Sequence, residues 1–291
     1  MRLPTDTCVL VGDYGIGDHY IVGGFAEAVS KKYGLKVWMA GRAQMAWVAD
    51  LYPAVERFLP LPDHLKHDEL ETTKPTGGEI FYAHFPQLEL AKAIGFKDFH
   101  FLDAYRVRLG LPEDSELSKA LLPSDEELAH ADELLRRSNL PAKKTVLLNI
   151  DAKSISTETF SADYWTAMAD ALSANGLHPL INRGPETIVP PGLPSMDIPI
   201  RDYRALALAA GAVCTVHSGI SDLVSDLPCA RVVLYPKLDY EGGPLLKGTS
   251  FEKFGAHREQ REFLVSPDCR TESIAQTVEY LAANPNVSAA A

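Results

Sequence analysis

The chain has 291 residues, 46% hydrophobic and 23% charged, with a formal charge of -11. That length suits two domains of about 100–200 residues, and the composition is that of an ordinary globular protein. The acidic balance argues against a sequence-independent binder of phosphate backbones, so nucleic acid is not an expected partner. A local basic pocket for a small phosphorylated ligand stays open.

The elements read in order as follows. Residues 7–12, "TCVLVG", predict a buried strand, and the glycine loop "GDYGIGDHY" begins at Gly12. Helical spacing over 19–34 stops at Gly34 after Lys31 and Lys32. A strand over 35–41, a helix over 42–53 closed by Pro53 and an extended piece over 55–62 follow. Then come a strand over 77–85, a helix over 87–95 and a helix from 101 to Gly110. Strands alternating with helices imply a parallel sheet covered on both faces.

A helix over 124–141 opens with a Ser124–Glu127 capping box and closes with Arg136 and Arg137. A second alternating series follows: strand 143–151, helix 161–176, strand 177–184, helix 202–212, strand 213–218, helix 219–228 and strand 230–236. A last helix covers 271–285, and the final "NVSAAA" reads as disordered. The two series meet near 113–144. The expected domains are 1–140 and 141–291, with the last helix free to pack back on the first.

Cys8, Cys214, Cys229 and Cys269 form no Cys-x-x-Cys pair and read as reduced thiols, Cys8 and Cys214 in apolar runs. The start "MRLPTDTC" lacks the apolar core of a signal peptide, and the longest apolar stretch, 205–216, is too short to span a bilayer. The expectation is a cytoplasmic protein, with peripheral contact at the inner membrane face left open.

Gly15 and Gly17 share the first spacing of a dinucleotide fingerprint, but Tyr20 stands at its third glycine, and no phosphate-loop lysine follows. No His-Glu-x-x-His or Gly-x-Ser-x-Gly occurs. A nicotinamide dehydrogenase, a P-loop enzyme and an elbow-type serine hydrolase are disfavoured, and neither a metal nor a cofactor is expected. The glycines let the backbone turn sharply and approach a ligand closely. On spacing alone Asp18 reads as a helix cap, Asp13 as a turn residue, and His19 as a helix-start residue.

The order of motifs resembles the ADP-heptose:lipopolysaccharide heptosyltransferase family. The resemblance rests on "GIGDHYIVGGFAEAV", on "LGLPEDSELSKALLPSDEELAHADELL", on "LLNIDAKSISTETFSADYWTAMADAL" and on "ALALAAGAVCTVHSGISDLVSDLPCARVVLYP". It implies a GT-B glycosyltransferase: two Rossmann-like α/β domains facing across a cleft, with a nucleotide-sugar donor on the second. The acceptor, a carbohydrate or a glycolipid, falls to the first. In that frame Asp18, beside Gly17, is the base that takes the acceptor's proton, against its reading as a cap. Lys153 and Ser154 become diphosphate ligands rather than surface residues. Arg183 faces the nucleotide or remains in a surface loop.

The turn Ser218-Gly219-Ile220-Ser221 offers amide donors to a diphosphate, or is a plain βα turn with a serine cap. His217 stabilises the leaving group or orients a neighbour. Asp222 binds sugar hydroxyls or holds His217. The loop 237–248 is a weaker candidate for sugar or ribose contact. One departure stands out: the family carries Asp-Thr/Ser-Gly-x-x-His where this chain has His217-Ser218-Gly219-Ile220-Ser221-Asp222. The acidic and imidazole positions are exchanged, so heptose is not assigned as the sugar. A non-catalytic sugar-nucleotide binder and a GT-B-like epimerase or hydrolase remain as alternatives.

Overall fold

The computed structural model describes residues 3–12, 15–61, 75–83, 100–152, 159–184, 186–240, 243–254 and 260–284. The expected helix over 87–95 and the final "NVSAAA" lie outside them. The chain divides into two units, Met1–Leu122 with Leu238–Gly255, and Pro123–Lys237 with Ala256–Ala291.

In the first unit the run "TCVLV" forms β1 (Thr7–Val11), buried along its whole length. A continuous apolar run is what a central parallel strand, covered on both faces, demands. β1 pairs in parallel with β2 (Lys36–Gly41) and with β4 (Ile80–Tyr82), and β3 (Val55–Pro60) pairs with β2. The sheet order is β3-β2-β1-β4.

Helix α1 (Ile16–Tyr33) joins β1 to β2 and ends at Gly34, whose φ of 64° puts it in the left-handed region where its amide reaches Ser30 O. That is the glycine stop the sequence announces. Residues 19–26 are all buried, so this half of the helix is enclosed on every side. Small residues make that possible: a Cβ at Gly23 would lie 2.3 Å from Tyr52 Cδ2. Tyr52 is only 2% exposed, so its ring cannot swing aside. Gly23→Ala therefore sets a helix-propensity gain of about 1 kcal/mol against overpacking of about 1–3 kcal/mol. A lowered thermal midpoint is expected; a raised one would mean that the Tyr52 ring relaxes freely.

The expected helix over 42–53 is broken into a 3-10 turn, Ala43–Met45, and the short α2 (Ala46–Ala49). Packing of Val48, Ala49 and Tyr52 against the core overrides the propensity for one longer helix. Helix α3 (Phe101–Arg108) starts at His100, whose Nδ1 accepts from the Leu102 amide (3.1 Å).

The second unit begins with α4 (Asp125–Arg137), opened by the expected box: the Glu127 amide donates to Ser124 Oγ (3.3 Å) and the Ser124 amide to Glu127 Oε2 (2.7 Å). β5 (Thr145–Asn149), α5 (Ala162–Ala174), β6 (His178–Asn182), β7 (Ser195–Met196), α6 (Tyr203–Ala210), β8 (Gly211–Val216), α7 (Gly219–Leu223) and β9 (Ala230–Pro236) follow. α7 is shorter than the expected 219–228.

The chain then contributes to the first unit an antiparallel pair, β10 (Asp239–Tyr240) with β11 (Gly243–Pro244), and α8 (Leu245–Thr249). His100 Nε2 donates to Ser250 O (2.9 Å), tying this return segment to α3. β12 (Gln260–Val265) and α9 (Arg270–Ala283) complete the second unit, where α9 packs on α5 and β12.

The second sheet is parallel in the order β12-β9-β8-β5-β6-β7. Val146, Leu148, Trp165, Met168, Val232 and Leu281 form its core on one face. Cys8, Cys214 and Cys229 are buried free thiols, and burial pushes the Cys8 thiol up to about 11.

Candidate active site

Each sheet reverses its winding beside its first strand. In the first, the chain runs from β1 to β2 and β3 on one side and returns to β4 on the other. In the second, β6 and β7 lie to one side of β5, with β8, β9 and β12 to the other. Open parallel sheets bind ligands at the carboxyl ends of strands beside such reversals. Asp18 in the first unit, and Arg183 and the 217–222 turn in the second, fall there.

In the first unit the glycine loop leaves β1 at Gly12. A Cβ there would lie 3.1 Å from Asp18 O and His19 Cα, so the strand end and the first turn of α1 pack closely, with little room for a side chain between them. Asp13 lies outside the described residues. Gly15 is the N-cap of α1, which places Asp18 at its third helical position and buries Gly17 in the first turn. Asp18 Oδ2 accepts from the Gly15 amide (3.0 Å), and Oδ1 accepts from the Tyr105 hydroxyl (2.7 Å). The carboxylate thus caps the helix and also reaches a second element.

His19 lies inside the helix and is fully buried, its Nδ1–H donating to Gly15 O (2.8 Å). Its Nε2 edge occupies the space a Cβ of Gly41 would need. It braces the turn.

In the second unit, side chains from three adjacent strands meet at their carboxyl ends. Asn149 Nδ2 lies within hydrogen-bond reach of Asp151 O (3.1 Å), Thr215 Oγ1 (3.3 Å) and Ser218 Oγ (3.5 Å). Asn182 Nδ2 donates to Asn149 Oδ1 (3.3 Å). The two amides and Thr215 are buried, and together they lock the starts of two loops. Lys153 and Ser154 lie outside the described residues.

Ser218 caps α7. Its amide donates to Ser221 Oγ (2.9 Å), and the Ser221 amide donates back to Ser218 O (2.9 Å). The turn thus uses two of its own donors. The amides of Gly219 and Ile220, in the first turn, have no acceptor within the helix. His217 stacks on Tyr235, ring centroids 4.8 Å apart, and the Tyr235 hydroxyl donates to Glu262 Oε1 (2.7 Å). Asp222 is buried at 9% exposure.

Arg183 sits at the end of β6 with its fork on Asp197, Nε to Oδ1 and Nη2 to Oδ2, both 2.8 Å. The bonded guanidinium holds the Asp197 carboxyl below its usual range. Tyr105, Asn149, Asn182 and Thr215 carry no motif, and only the fold brings them to these places.

Among the described residues no group of three His, Cys, Asp or Glu is placed to hold a metal ion. None of their helices is long and apolar enough to cross a membrane.

No protein-family model matches the chain, and no curated protein matches its sequence. Solved structures do match. The E. coli ADP-heptose lipopolysaccharide heptosyltransferase II aligns with a TM-score of 0.67 at 10% identity, covering 96% of this chain and 98% of that one. A glycosyl transferase of family 9 from Veillonella parvula gives 0.62 at 14% identity, over 95% and 90%. The E. coli heptosyltransferase WaaC with ADP gives 0.57 at 13%, over 96% and 100%. Two parallel sheets, matched almost end to end by these chains, give the protein the GT-B fold of the heptosyltransferases.

Proposed function

We propose that the protein is a glycosyltransferase that moves a sugar from a nucleoside-diphosphate donor to a hydroxyl of a carbohydrate or glycolipid, without a metal. The observation that carries this reading is Asp18. It stands at the carboxyl end of β1, beside the reversal of the first sheet, with its carboxylate aimed by two hydrogen bonds. An acceptor hydroxyl attacking an anomeric carbon must lose a proton, and a fixed carboxylate takes it.

The donor is assigned to the second unit, at the Asn149–Thr215–Ser218 cluster. Lys153 and Ser154 balance the departing diphosphate, with the Gly219 amide, and His217 and Ser221 shape the turn that holds it. Asp222 and Arg183 are the remaining donor-side candidates. The solved structure of WaaC contains ADP, which makes ADP the first nucleotide to try here.

The test is a thermal-shift and calorimetry series over nucleoside diphosphates and their sugars. A ligand at 100 times its Kd stabilises the folded state by about 2.7 kcal/mol. One nucleoside diphosphate is expected to raise the midpoint, and Lys153→Ala to weaken it. No shift with any of them overturns the reading. The exchanged His217 and Asp222 favour one rival, a binder that has lost transfer; it would bind the nucleotide sugar and leave it intact with every acceptor. Product formed without acceptor would indicate an epimerase or hydrolase.

A further inference from the structure

We infer that Tyr105 is the positioning residue for Asp18: its buried hydroxyl fixes the direction of the carboxylate and keeps it in the ionised form that accepts a proton. The inference rests on the reading of Asp18 as the base, and it adds a residue that no sequence motif marks.

Tyr105 is completely buried on α3. Its ring packs edge-on to Phe101, centroids 5.3 Å apart, and against Phe25 of α1 at 6.4 Å. A ring enclosed in this way cannot carry its hydroxyl elsewhere. The hydroxyl donates to Asp18 Oδ1 at 2.7 Å, while the Gly15 amide holds Oδ2 at 3.0 Å.

The two donors come from different elements and grip different oxygens, so together they set both the tilt and the rotation of the carboxylate plane. The Gly15 contact is within α1's own first turn and suffices for capping. Capping gives no reason for the second contact, whereas aiming a base does.

The donated bond also has a chemical sense. A hydrogen bond to a carboxylate is stronger than one to the neutral acid, so it favours the charged form. During transfer the acceptor oxygen bonds the anomeric carbon, the carbon–oxygen bond to the diphosphate breaks, and the acceptor's proton passes to Asp18. Tyr105 then favours return of that proton to solvent, which restores the carboxylate for the next turnover.

Tyr105→Phe tests this, because it keeps the ring and its packing and removes only the hydroxyl. The Asp18 carboxyl carbon, identified by its absence from the 13C spectrum of Asp18→Asn, is expected to titrate at higher pH in Tyr105→Phe. The acid limb of the kcat profile should move the same way. At the plateau kcat should fall about tenfold through lost orientation, with the KM for donor unchanged. A titration and profile identical to the parent protein overturn the inference, since a packing role would move neither. The NMR measurement needs no substrate. Turnover of Asp18→Asn equal to that of the parent protein overturns the base reading itself, so the two failures are told apart.

Discussion

Asp18→Asn lowers sugar transfer by roughly 10²–10⁴-fold, the usual weight of a general base, and leaves nucleoside-diphosphate binding as it was. The substitution is nearly isosteric. The amide oxygen still accepts from the Gly15 amide, so the first turn of α1 stays capped. What is lost is the ability to take a proton and the charge that the Tyr105 hydroxyl meets. Initial rates with saturating donor, together with calorimetric titration of the nucleoside diphosphate, separate the two effects. Turnover equal to the parent protein would leave Asp18 as a helix cap and nothing more. A loss of donor binding in step with activity would show that the substitution had damaged the fold.

The second large effect is on stability. Arg204, on α6, is 2% exposed, and its Nη1 donates to Leu223 O (2.6 Å) and Asp226 Oδ1 (2.7 Å). The ion pair is largely shielded from solvent, with side chains 3% and 13% exposed. Arg204→Met leaves the largely shielded Asp226 carboxylate without this guanidinium and withdraws a donor from the Leu223 carbonyl. Breaking such a pair costs about 3–5 kcal/mol, whereas replacing both partners by apolar groups is often close to neutral. Urea unfolding should therefore show a large loss for Arg204→Met and substantial recovery for Arg204→Met with Asp226→Leu.

The contrast is Arg183 with Asp197, whose side chains are 49% and 70% exposed. An exposed pair of that kind contributes about 0–1 kcal/mol. If Arg204→Met cost no more than Arg183→Ala, the buried pair would not be holding the turn after α7.

The alternation of strands and helices, and with it the doubly wound fold, was legible because central parallel strands are continuous apolar runs and because glycine stops and serine caps punctuate the helices. "ARVVLYP" was read to its exact bounds as β9. β12 was not seen. Its sequence, "QREFLV", carries two adjacent charges, and as the outer strand beside β9 it is largely unburied. An edge strand has no need of the apolar run that marks a central one.

The active-site residues divide in the same way. Asp18 stands in a local pattern of glycines and was visible. Tyr105, which aims it, is 87 positions away, and Thr215 is 66 positions from Asn149. Contacts of that range follow from sheet order, which spacing along the chain does not encode. His19 was placed at the start of α1 because the spacing gave no sign that the helix begins at Ile16.

The return of the chain through 238–255 bears on how the protein can be divided. Neither unit is a continuous piece of sequence: the first is closed only by a segment made after most of the second, and the second is finished only after that segment. A ribosome therefore releases the first sheet before the carbonyl that accepts the His100 hydrogen bond has been synthesised. Modularity here belongs to the folded molecule and not to its gene, and no single break in the chain yields either half whole.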